Sequence, residues 1–246
     1  MRLAVFADIH SIIEALEAVL ADCARRRVDR YVCLGDLVGY GANPNRCIAR
    51  VCGLPRINVI LGNHDAAAVW RTSPYHMNPV ATEAIMWTME RLSEPHAAFL
   101  KRLGTQFEMG PINFSHANPY NPMAWRYLNE RKYALRSFSR CRARLLFVGH
   151  THHPMVITRG RLRRVTFAAA KGSAVIPAHP LRRQIVNCGS VGQPRDANPR
   201  ACYCIYDTEA ARFEFHRPAY DCRATMEKIR TAGLPESLAT RLMKGV

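Results

Sequence analysis

Five stretches of this 246-residue chain share one pattern, in which a short apolar run of strand length ends in residues that can bind a metal. One such ending is typical of any solvated turn. Five endings that use Asp, Asn and His almost exclusively are hard to explain by chance, so we expect them to meet at one site. The five endings are Asp8-Ile9-His10, Gly35-Asp36, Gly62-Asn63-His64-Asp65, Ser115-His116 and Gly149-His150-Thr151-His152.

The last of these endings follows the apolar run Leu145 to Val148, which is typical of a buried strand. Because side chains alternate between the faces of a strand, His150 and His152 are predicted to point the same way. Imidazole is the commonest protein ligand for metals. This tetrapeptide is therefore the strongest single indication of a metal site.

The chain is long enough for one large domain, and 48% hydrophobic and 22% charged residues are ordinary for a globular protein. We predict a single domain over residues 1–246, with a helical cap insertion at 66–103 and a helical tail at 221–246. A net charge of +16 favours anionic partners. The basic residues are scattered, however, so a solvated basic surface explains them equally well.

The nine cysteines are an odd number without the spacing of a disulfide framework. Cys202-x-Cys204 lacks the two-residue gap of zinc knuckles, and we expect these cysteines to pack as small apolar residues on a strand. Reduced thiols, and the lack of a leader or a long apolar run, predict a cytoplasmic protein with no membrane association. The sequence gives no indication of oligomeric state.

The first elements are predicted to be a strand, a helix and a strand, with Ser11 as the N-cap of a helix that ends near Arg25.

Within the cap insertion, Trp70, Tyr75 and Trp87 either stack on a substrate base or form the insertion's own core. Beyond residue 149, five short runs follow one another without helices. They predict an antiparallel second sheet, and they lie at 155–158, 163–168, 184–186, 202–206 and 212–215.

Seven side chains are candidate metal ligands: Asp8, His10, Asp36, Asn63, His116, His150 and His152. Seven are too many for one ion, whereas two ions that share a carboxylate would use them all. Nitrogen and oxygen ligands without cysteine suit two divalent transition metals from the set Mn, Fe, Zn, Ni and Co, of which we favour Mn.

These motifs, in this order, resemble those of the calcineurin-like metallophosphoesterases over residues 3 to about 207. The stretch from Asn187 to Asp196 resembles the bacterial and archaeal branch of phosphodiesterases and diadenosine tetraphosphatases. The resemblance implies an α/β fold, a four-layer αββα sandwich of two mixed sheets flanked by helices. It also implies hydrolysis of phosphoesters by a hydroxide that bridges two metals, with a phosphodiester or a dinucleoside polyphosphate as substrate.

Carried over residue by residue, the resemblance places Asp8, His10 and His152 on the first metal. It places Asn63, His116 and His150 on the second metal, with Asp36 as the bridge. His64 would contact the phosphate and protonate the leaving oxygen, so His64 and Asp36 are the candidate catalytic residues. Asn63, His64 and Arg195 are the candidate substrate contacts, although Arg195 is equally explained as a solvated loop residue.

The chain departs from the family pattern at two places. Ser11 is followed by Ile12 rather than by the usual asparagine, which affects hydrogen bonds around the ligands. Gly39-Tyr40 replaces the Asp-Arg of the Ser/Thr protein phosphatases, so that activity is disfavoured. Asp65 either orients His64 or caps the next helix.

Three alternative functions stay open besides the hydrolysis of a small phosphorylated substrate. They are a Ser/Thr-type protein phosphatase, a nuclease that uses the basic surface, and a non-catalytic scaffold of the same fold. The presence of both Asn63 and His64 argues against the scaffold, and nucleic acid is not the favoured partner. His76, His96, His153, His179 and His216 lie outside the motifs and are predicted to be surface or packed histidines.

Overall fold

Two mixed six-stranded sheets lie face to face in the computed structural model, which describes all 246 residues apart from the side chain of Arg163. The first sheet contains, in spatial order, β3 (Ile57–Val59), β2 (Arg30–Cys33), β1 (Arg2–Phe6), β11 (Tyr203–Asp207), β12 (Arg212–His216) and β9 (Ala174–Pro177). The second contains β4 (Gln106–Met109), β5 (Ile112–Ser115), β6 (Leu145–Val148), β10 (Gln184–Asn187), β7 (Met155–Arg159) and β8 (Val165–Ala169).

Helices cover the outer faces of both sheets. They are α1 (Ile13–Arg25), α2 (Pro44–Cys52), α3 (Asn63–Ala68), α4 (Pro79–Arg91), α5 (Glu94–Arg102), α6 (Arg131–Arg140), α7 (Cys222–Thr231) and α8 (Glu236–Thr240). Short 3-10 turns lie at Pro74–His76, Pro122–Ala124, Arg161–Arg163 and Arg241–Met243. No helix in the described part of the chain has both the length and the apolar character needed to cross a membrane.

The layers follow from the way in which alternate strand residues are buried. In β6, Leu145 and Phe147 belong to the cluster between the two sheets, whereas Leu146 and Val148 pack with Phe138 of α6. A strand that is buried on both faces reads as a continuous apolar run. The same division in β1 places its odd-numbered residues between the sheets and its even-numbered residues under the helices. The predicted αββα sandwich is confirmed.

The strands after residue 149 do not form a separate antiparallel sheet, so that prediction was wrong. β7, β8 and β10 lie in the second sheet, where β10 runs parallel to β6. β11 and β12 lie in the first sheet, where β11 pairs antiparallel with β1. A strand buried on both faces needs a neighbour on each side, and these neighbours are distant in sequence. The exposed strand β4 and the edge strand β9 were not predicted.

Two local predictions also differ from the structure. α1 begins at Ile13 with Ile12 at the cap position, and the buried Ser11 hydroxyl has no hydrogen-bond partner, so Ser11 is not the cap. The Ser11 backbone is left-handed, with φ of 58°, and its N–H bonds instead to the carbonyl of Leu37. The strand predicted from residue 163 begins at Val165, because a 3-10 turn precedes it.

Other expectations agree with the structure. Residues 66–103 contain helices and no strand, and the tail contains α7 and α8. Cys202 and Cys204 are both buried in the cluster between the sheets. Trp87 packs against the main core and its indole N–H donates to the carbonyl of Ala232 in the C-terminal tail, so it joins the cap to the rest of the fold.

One buried carboxylate ties α1 to the first sheet. Asp22 accepts hydrogen bonds from the Tyr203 hydroxyl at 2.6 Å, from Arg26 at 2.8 Å and from Arg25 at 2.9 Å. Burial opposes the charge of Asp22, but these three donors outweigh it and lower the pKa of the carboxyl. The charged form of Asp22 therefore stabilises the fold.

We expect Asp22→Asn to lower the free energy of unfolding by about 1–3 kcal/mol at pH 7, because charged donors lose a charged acceptor. Since the folded state lowers the pKa of Asp22, this stabilisation is present at neutral pH and is lost as the pH falls below about 4. Urea unfolding across this pH range measures the difference. The control Glu17→Gln removes an exposed pair with Arg50 on the same helix and should change stability by less than about 1 kcal/mol.

Candidate metal centre

The predicted ligands meet at the edge where parallel strands end. β1, β2 and β3 run parallel in the first sheet, and β5, β6 and β10 run parallel in the second. Their carboxyl ends therefore open toward the same edge of the sandwich. The loops after these strands carry all seven of the predicted ligands. Asp8, His10, Asp36, His116, His150 and His152 are buried, and Asn63 is partly buried.

The donor atoms fall into three overlapping groups, one of which contains His10, Asp36 and His64. Asp8, His10 and His152 bring one ligand atom each to within 4.8 Å of one another. A second group of the same kind contains Asp36, His116 and His150. Asn63 joins it, because its side-chain oxygen lies 3.1 Å from His116 Nε2. Asp36 Oδ2 lies 3.4 Å from His116 Nε2 and 3.7 Å from His10 Nε2, between the two groups.

Each of the four histidines is oriented by a backbone carbonyl. His10 Nδ1 donates to Val38 at 3.2 Å and His116 Nδ1 to Leu34 at 2.8 Å. His152 Nδ1 donates to the carbonyl of Gln193 at 2.5 Å, and His150 Nε2 donates to the carbonyl of Trp125 at 2.7 Å. Since a carbonyl only accepts, the bonded nitrogen carries the proton and the other nitrogen presents a lone pair.

These lone pairs face one another at short distance. His10 Nε2 is 3.3 Å from His152 Nε2, and His116 Nε2 is 3.2 Å from His150 Nδ1. The two nitrogens of His10 and His152 are both unprotonated and repel at this distance, and a cation between them would turn the repulsion into coordination. The arrangement of the residues therefore fits a pair of metal ions.

Each of the two aspartates likewise uses one oxygen for a backbone hydrogen bond and presents the other oxygen to the site. Asp8 Oδ2 accepts from the backbone N–H of His150 at 3.0 Å, and Asp36 Oδ1 accepts from that of His64 at 2.8 Å. The other oxygen of each carboxylate faces the imidazoles. Asp8 Oδ1 is buried and has no hydrogen-bond partner, which is costly for a carboxylate unless a cation binds it.

Burial dominates the protonation of the site. It raises the pKa of Asp8 to about 7, an effect that His116 opposes and Asp36 strengthens. Burial also lowers the pKa of His150 to about 3, and the pKa values of His10 and His152 lie well below the ordinary value. These imidazoles are neutral at pH 7, as metal ligands must be.

His116 is the exception among the ligand histidines. Its pKa is raised to about 9, because Asp36 and Asp8 outweigh the opposing effect of burial. Asp36 in turn has a pKa well below the ordinary value, since His116 and His64 outweigh its burial. The carboxylates therefore attract positive charge to His116, whose Nε2 lies 3.4 Å from Asp36 Oδ2 and 3.9 Å from Asp8 Oδ1. A metal ion at this position would replace that proton.

Five of the seven predicted ligands have a left-handed backbone conformation. Asp8, His10, Asp36, His150 and His152 all have φ between 52° and 65°, a region that non-glycine residues seldom occupy. The prediction that strand alternation aligns His150 with His152 is therefore wrong, because β6 ends at Val148. The turned backbone instead sends His150 to the Asp36 group and His152 to the Asp8 group.

His64 lies beside the metal ligands in a packed aromatic environment. Its ring is 4.5 Å from that of Tyr40 and 4.7 Å from that of His10, and burial lowers its pKa to about 4. Its Nδ1 is buried without a partner and lies against Gly39, where a Cβ atom would come within 2.4 Å of Nδ1. Gly39 also has φ of 91°, so glycine at this position makes room for His64.

Asp65 does not contact His64. Its Oδ1 accepts from the N–H groups of Leu37 and Val38 at 2.8 and 3.1 Å, and its Oδ2 accepts from Gly62 at 3.1 Å. The last bond caps the start of α3, where the side chain of the third helical residue accepts from the N–H of the N-cap residue. Of the two predicted roles for Asp65, the structure supports capping.

Arg195 lies near the centre rather than in open solvent. It is partly buried, its guanidinium donates to Gln193 Oε1 at 3.1 Å, and its Nε is buried without a partner. Its positive charge lowers the pKa values of His10, His64 and His152.

A cavity of about 460 Å³ opens over the centre. Asn63, His64 and His150 form its floor, and its walls come from two segments that the sequence did not single out. The wall residues are Thr72 to Ser73 and His76 to Asn78 of the cap, and Met123 to Trp125 with Tyr127 of the loop before α6.

The aromatic residues at this cavity differ from those expected. The Tyr127 ring stacks on His150 at 4.4 Å, and the Trp125 ring lies 5.8 Å from that of His116. Trp70 and Tyr75 are exposed and do not line the cavity. No metal-ligand spacing involves Trp125 or Tyr127, so the sequence offered no signal for them. His76, predicted to be a surface or packed histidine, is exposed and also lines the cavity.

Comparison with known proteins agrees with this geometry. The chain is 38% identical over 248 residues to an uncharacterised protein of Methanocaldococcus jannaschii, with 99% of this chain and 98% of that protein covered. The crystal structure of a metallophosphoesterase from Sphaerobacter thermophilus is 40% identical, covers 100% of both chains and has a TM-score of 0.90. A hypothetical protein of Pyrococcus horikoshii, 19% identical with a TM-score of 0.77, covers 100% of this chain and 98% of its own and shows the same fold.

The model of the calcineurin-like phosphoesterase superfamily domain matches residues 1–211. That range contains each of the predicted ligands, together with His64 and Arg195. The chain belongs to the calcineurin-like phosphoesterase superfamily.

Proposed function

We propose that this protein hydrolyses phosphodiesters or dinucleoside polyphosphates with two divalent transition-metal ions, Mn being favoured. The observation that carries the proposal is the convergence of two ligand groups on either side of Asp36, with lone pairs aimed into the space between them. Family membership supports phosphoester hydrolysis as the reaction class. The substrate would be a small phosphorylated molecule that enters through the cavity over His64.

The roles of the ligands follow from their positions. Asp8, His10 and His152 would hold one ion, and Asn63, His116 and His150 the other, with Asp36 shared. When bound, two such ions neutralise a phosphate and lower the pKa of water to near neutrality. The backbone carbonyls that orient the histidines fix this geometry before substrate arrives.

His64 is the proposed proton donor to the leaving oxygen. Its Nδ1 faces Gly39, so Nε2 is the ring nitrogen that is available to a substrate in the cavity. The Tyr40 ring on one side and the His10 ring on another restrict its rotation. General acid catalysis of this kind contributes about 10²–10⁴-fold to rate.

Two alternatives lose support from the same residues. A protein phosphatase of the Ser/Thr branch would have Asp-Arg where this chain has Gly39 and Tyr40, and here Tyr40 is buried against His64. A non-catalytic scaffold has no need for converging ligands and a buried unpartnered carboxylate oxygen at Asp8. A nuclease stays the alternative for which salt-dependent binding of DNA or RNA is the test.

Asp36→Asn should abolish turnover of bis-p-nitrophenyl phosphate and reduce bound metal, because a neutral amide is a poor bridge between two cations. Metal content by mass spectrometry and activity are measured on the same sample. Asp221→Asn, which alters only the exposed cap of α7, should leave both unchanged. Full activity with undiminished metal in Asp36→Asn would refute the bridging role.

His64→Ala should lower kcat about 10²–10⁴-fold while metal content is retained, because His64 donates a proton and is not a ligand. Gly39→Ala provides an independent test, since its Cβ would displace the His64 ring. It should lower kcat in the same direction without loss of metal. His96→Ala, in the cap and bonded to Asn45, is the control and should retain wild-type kcat. Loss of metal together with activity in His64→Ala would contradict the assignment.

The substrate class is tested by a panel of a bis-aryl phosphodiester, a phosphomonoester, diadenosine tetraphosphate and a cyclic nucleotide, each with Mn, Ni and Zn. We expect the diester and the tetraphosphate to give the highest kcat/KM, because the open cavity admits a large leaving group. A phosphomonoester that exceeds both would overturn the proposed substrate class.

A further inference from the structure

The segment before α6 forms one wall of the cavity over the metal centre. After the 3-10 turn Pro122–Ala124, the chain continues through Trp125 and Tyr127 to Leu128. Leu128 is buried in the apolar cluster between α6 and the second sheet, whereas Met123 and Tyr127 are exposed. Met123, Trp125 and Tyr127 all line the cavity. The segment is thus anchored at Leu128 and presents three large apolar side chains to the cavity.

A hydrogen bond and ring contacts tie this segment to the ligands. His150 Nε2 donates to the Trp125 carbonyl at 2.7 Å, and the His150 ring stacks on that of Tyr127 with centroids 4.4 Å apart and an interplanar angle of 22°. The Trp125 ring lies edge-on to that of His116, at 5.8 Å and 74°. His116 and His150 belong to one ligand group. A phosphate held at this group would therefore have Trp125 and Tyr127 as neighbours.

Both aromatic side chains have binding capacity that the fold does not use. The Tyr127 ring is 44% exposed although it stacks on His150. Because that contact already orients the ring, a second ring that stacks on Tyr127 would cost little conformational entropy. The indole N–H of Trp125 is buried and has no hydrogen-bond partner within the described part of the chain. A ligand that supplies an acceptor would remove this unfavourable burial.

The opposite wall of the cavity is polar. It contains Thr72, Ser73, His76 and Asn78, which offer hydroxyl, imidazole and amide groups. A cavity with aromatic rings on one side and such groups on the other suits a ligand with flat apolar faces and polar edges. A nucleobase has both features, whereas an aliphatic chain lacks the polar edge and a sugar lacks the flat face.

We propose that Tyr127 and Trp125 bind the nucleobase of a nucleoside ester, Tyr127 by stacking and Trp125 by donating its indole N–H to the base. This inference rests on the proposed phosphoesterase function. A single ribose separates the base of a nucleotide from its phosphate, so a phosphate at the ligands brings the base to the neighbouring wall. Neither side chain has a role at the reacting phosphate. Tyr127 and Trp125 are therefore specificity-determining residues, and the preferred substrate carries a nucleoside.

Binding of a non-hydrolysable analogue to the metal-loaded protein tests the base site without turnover. The probe is the methylenephosphonate analogue of adenosine monophosphate, in which carbon replaces the ester oxygen. The reference is the same phosphonate of ribose, which lacks only the base. Tyr127→Ala should weaken calorimetric binding of the probe roughly 5- to 100-fold and leave the reference unchanged, because base stacking is lost. Tyr127→Phe keeps the ring and should bind the probe as wild type.

Trp125→Phe removes the indole N–H and keeps the backbone carbonyl that orients His150. It should weaken binding of the probe roughly 3- to 10-fold, with metal content unchanged. The control Phe167→Ala removes a ring on β8 that is 42% exposed and does not line the cavity, and it should bind as wild type. Unchanged affinity for the probe in Tyr127→Ala or in Trp125→Phe overturns the role of that residue. An equal loss for probe and reference in Tyr127→Ala would show that the ring only supports His150, and it too overturns the proposal.

Kinetics give the second readout. The p-nitrophenyl ester of adenosine monophosphate and methyl p-nitrophenyl phosphate release the same nitrophenolate, and only the first carries a base. The ratio of their kcat/KM values should fall roughly tenfold in Tyr127→Ala, through KM. A ratio equal to that of the wild type overturns the inference. A wild-type enzyme inactive on both esters would refute the proposed function, while the calorimetry would still decide the base site.

Discussion

Repulsion between imidazole nitrogens is the constraint on which the site depends. Four backbone carbonyls fix the orientation of each ring, and the remaining nitrogens then meet in two close pairs, of which His10 and His152 present two unprotonated nitrogens. Such an arrangement is unfavourable by itself and becomes favourable with cations between the rings. The carbonyls belong to Leu34, Val38, Trp125 and Gln193, so three different loops must be in place before the ligands are correctly oriented. The rigid sandwich below supplies this order.

The strained backbone around the ligands also serves to bring the ligand side chains together. Left-handed residues at a strand end let the chain turn sharply into the site, at a cost of order 1–3 kcal/mol each. Gly62 shows how little room is left, since a Cβ there would come within 2.1 Å of Asp36 Oδ1. The buried strands and the three apolar clusters hold these turns in place. The stability of the packed sheets and helices thus offsets the unfavourable backbone conformations of the turns at the site.

Much of this organisation could be predicted from the sequence. Continuous apolar runs such as Leu145 to Val148 identify strands buried on both faces, and the polar residue after each run marks the site edge. Partner choice could not be predicted, because β10 and β11 pair with strands distant along the chain and no local pattern encodes that pairing. The cavity wall was missed for a related reason. Trp125 and Tyr127 carry no motif and acquire meaning only from the segments beside which they lie.

Synthesis of the chain from its N-terminus has a consequence for when the centre can form. β1 leads into Asp8 and His10 and is synthesised before the other strands. Its neighbour β11 lies far along the chain, since the paired residues Arg2 and Asp207 are separated by 205 residues. Until that partner leaves the ribosome, β1 has an open edge and Asp8 has no fixed position. A nascent chain that lacks β11 therefore has not yet completed the sheet that positions the residues of the candidate centre.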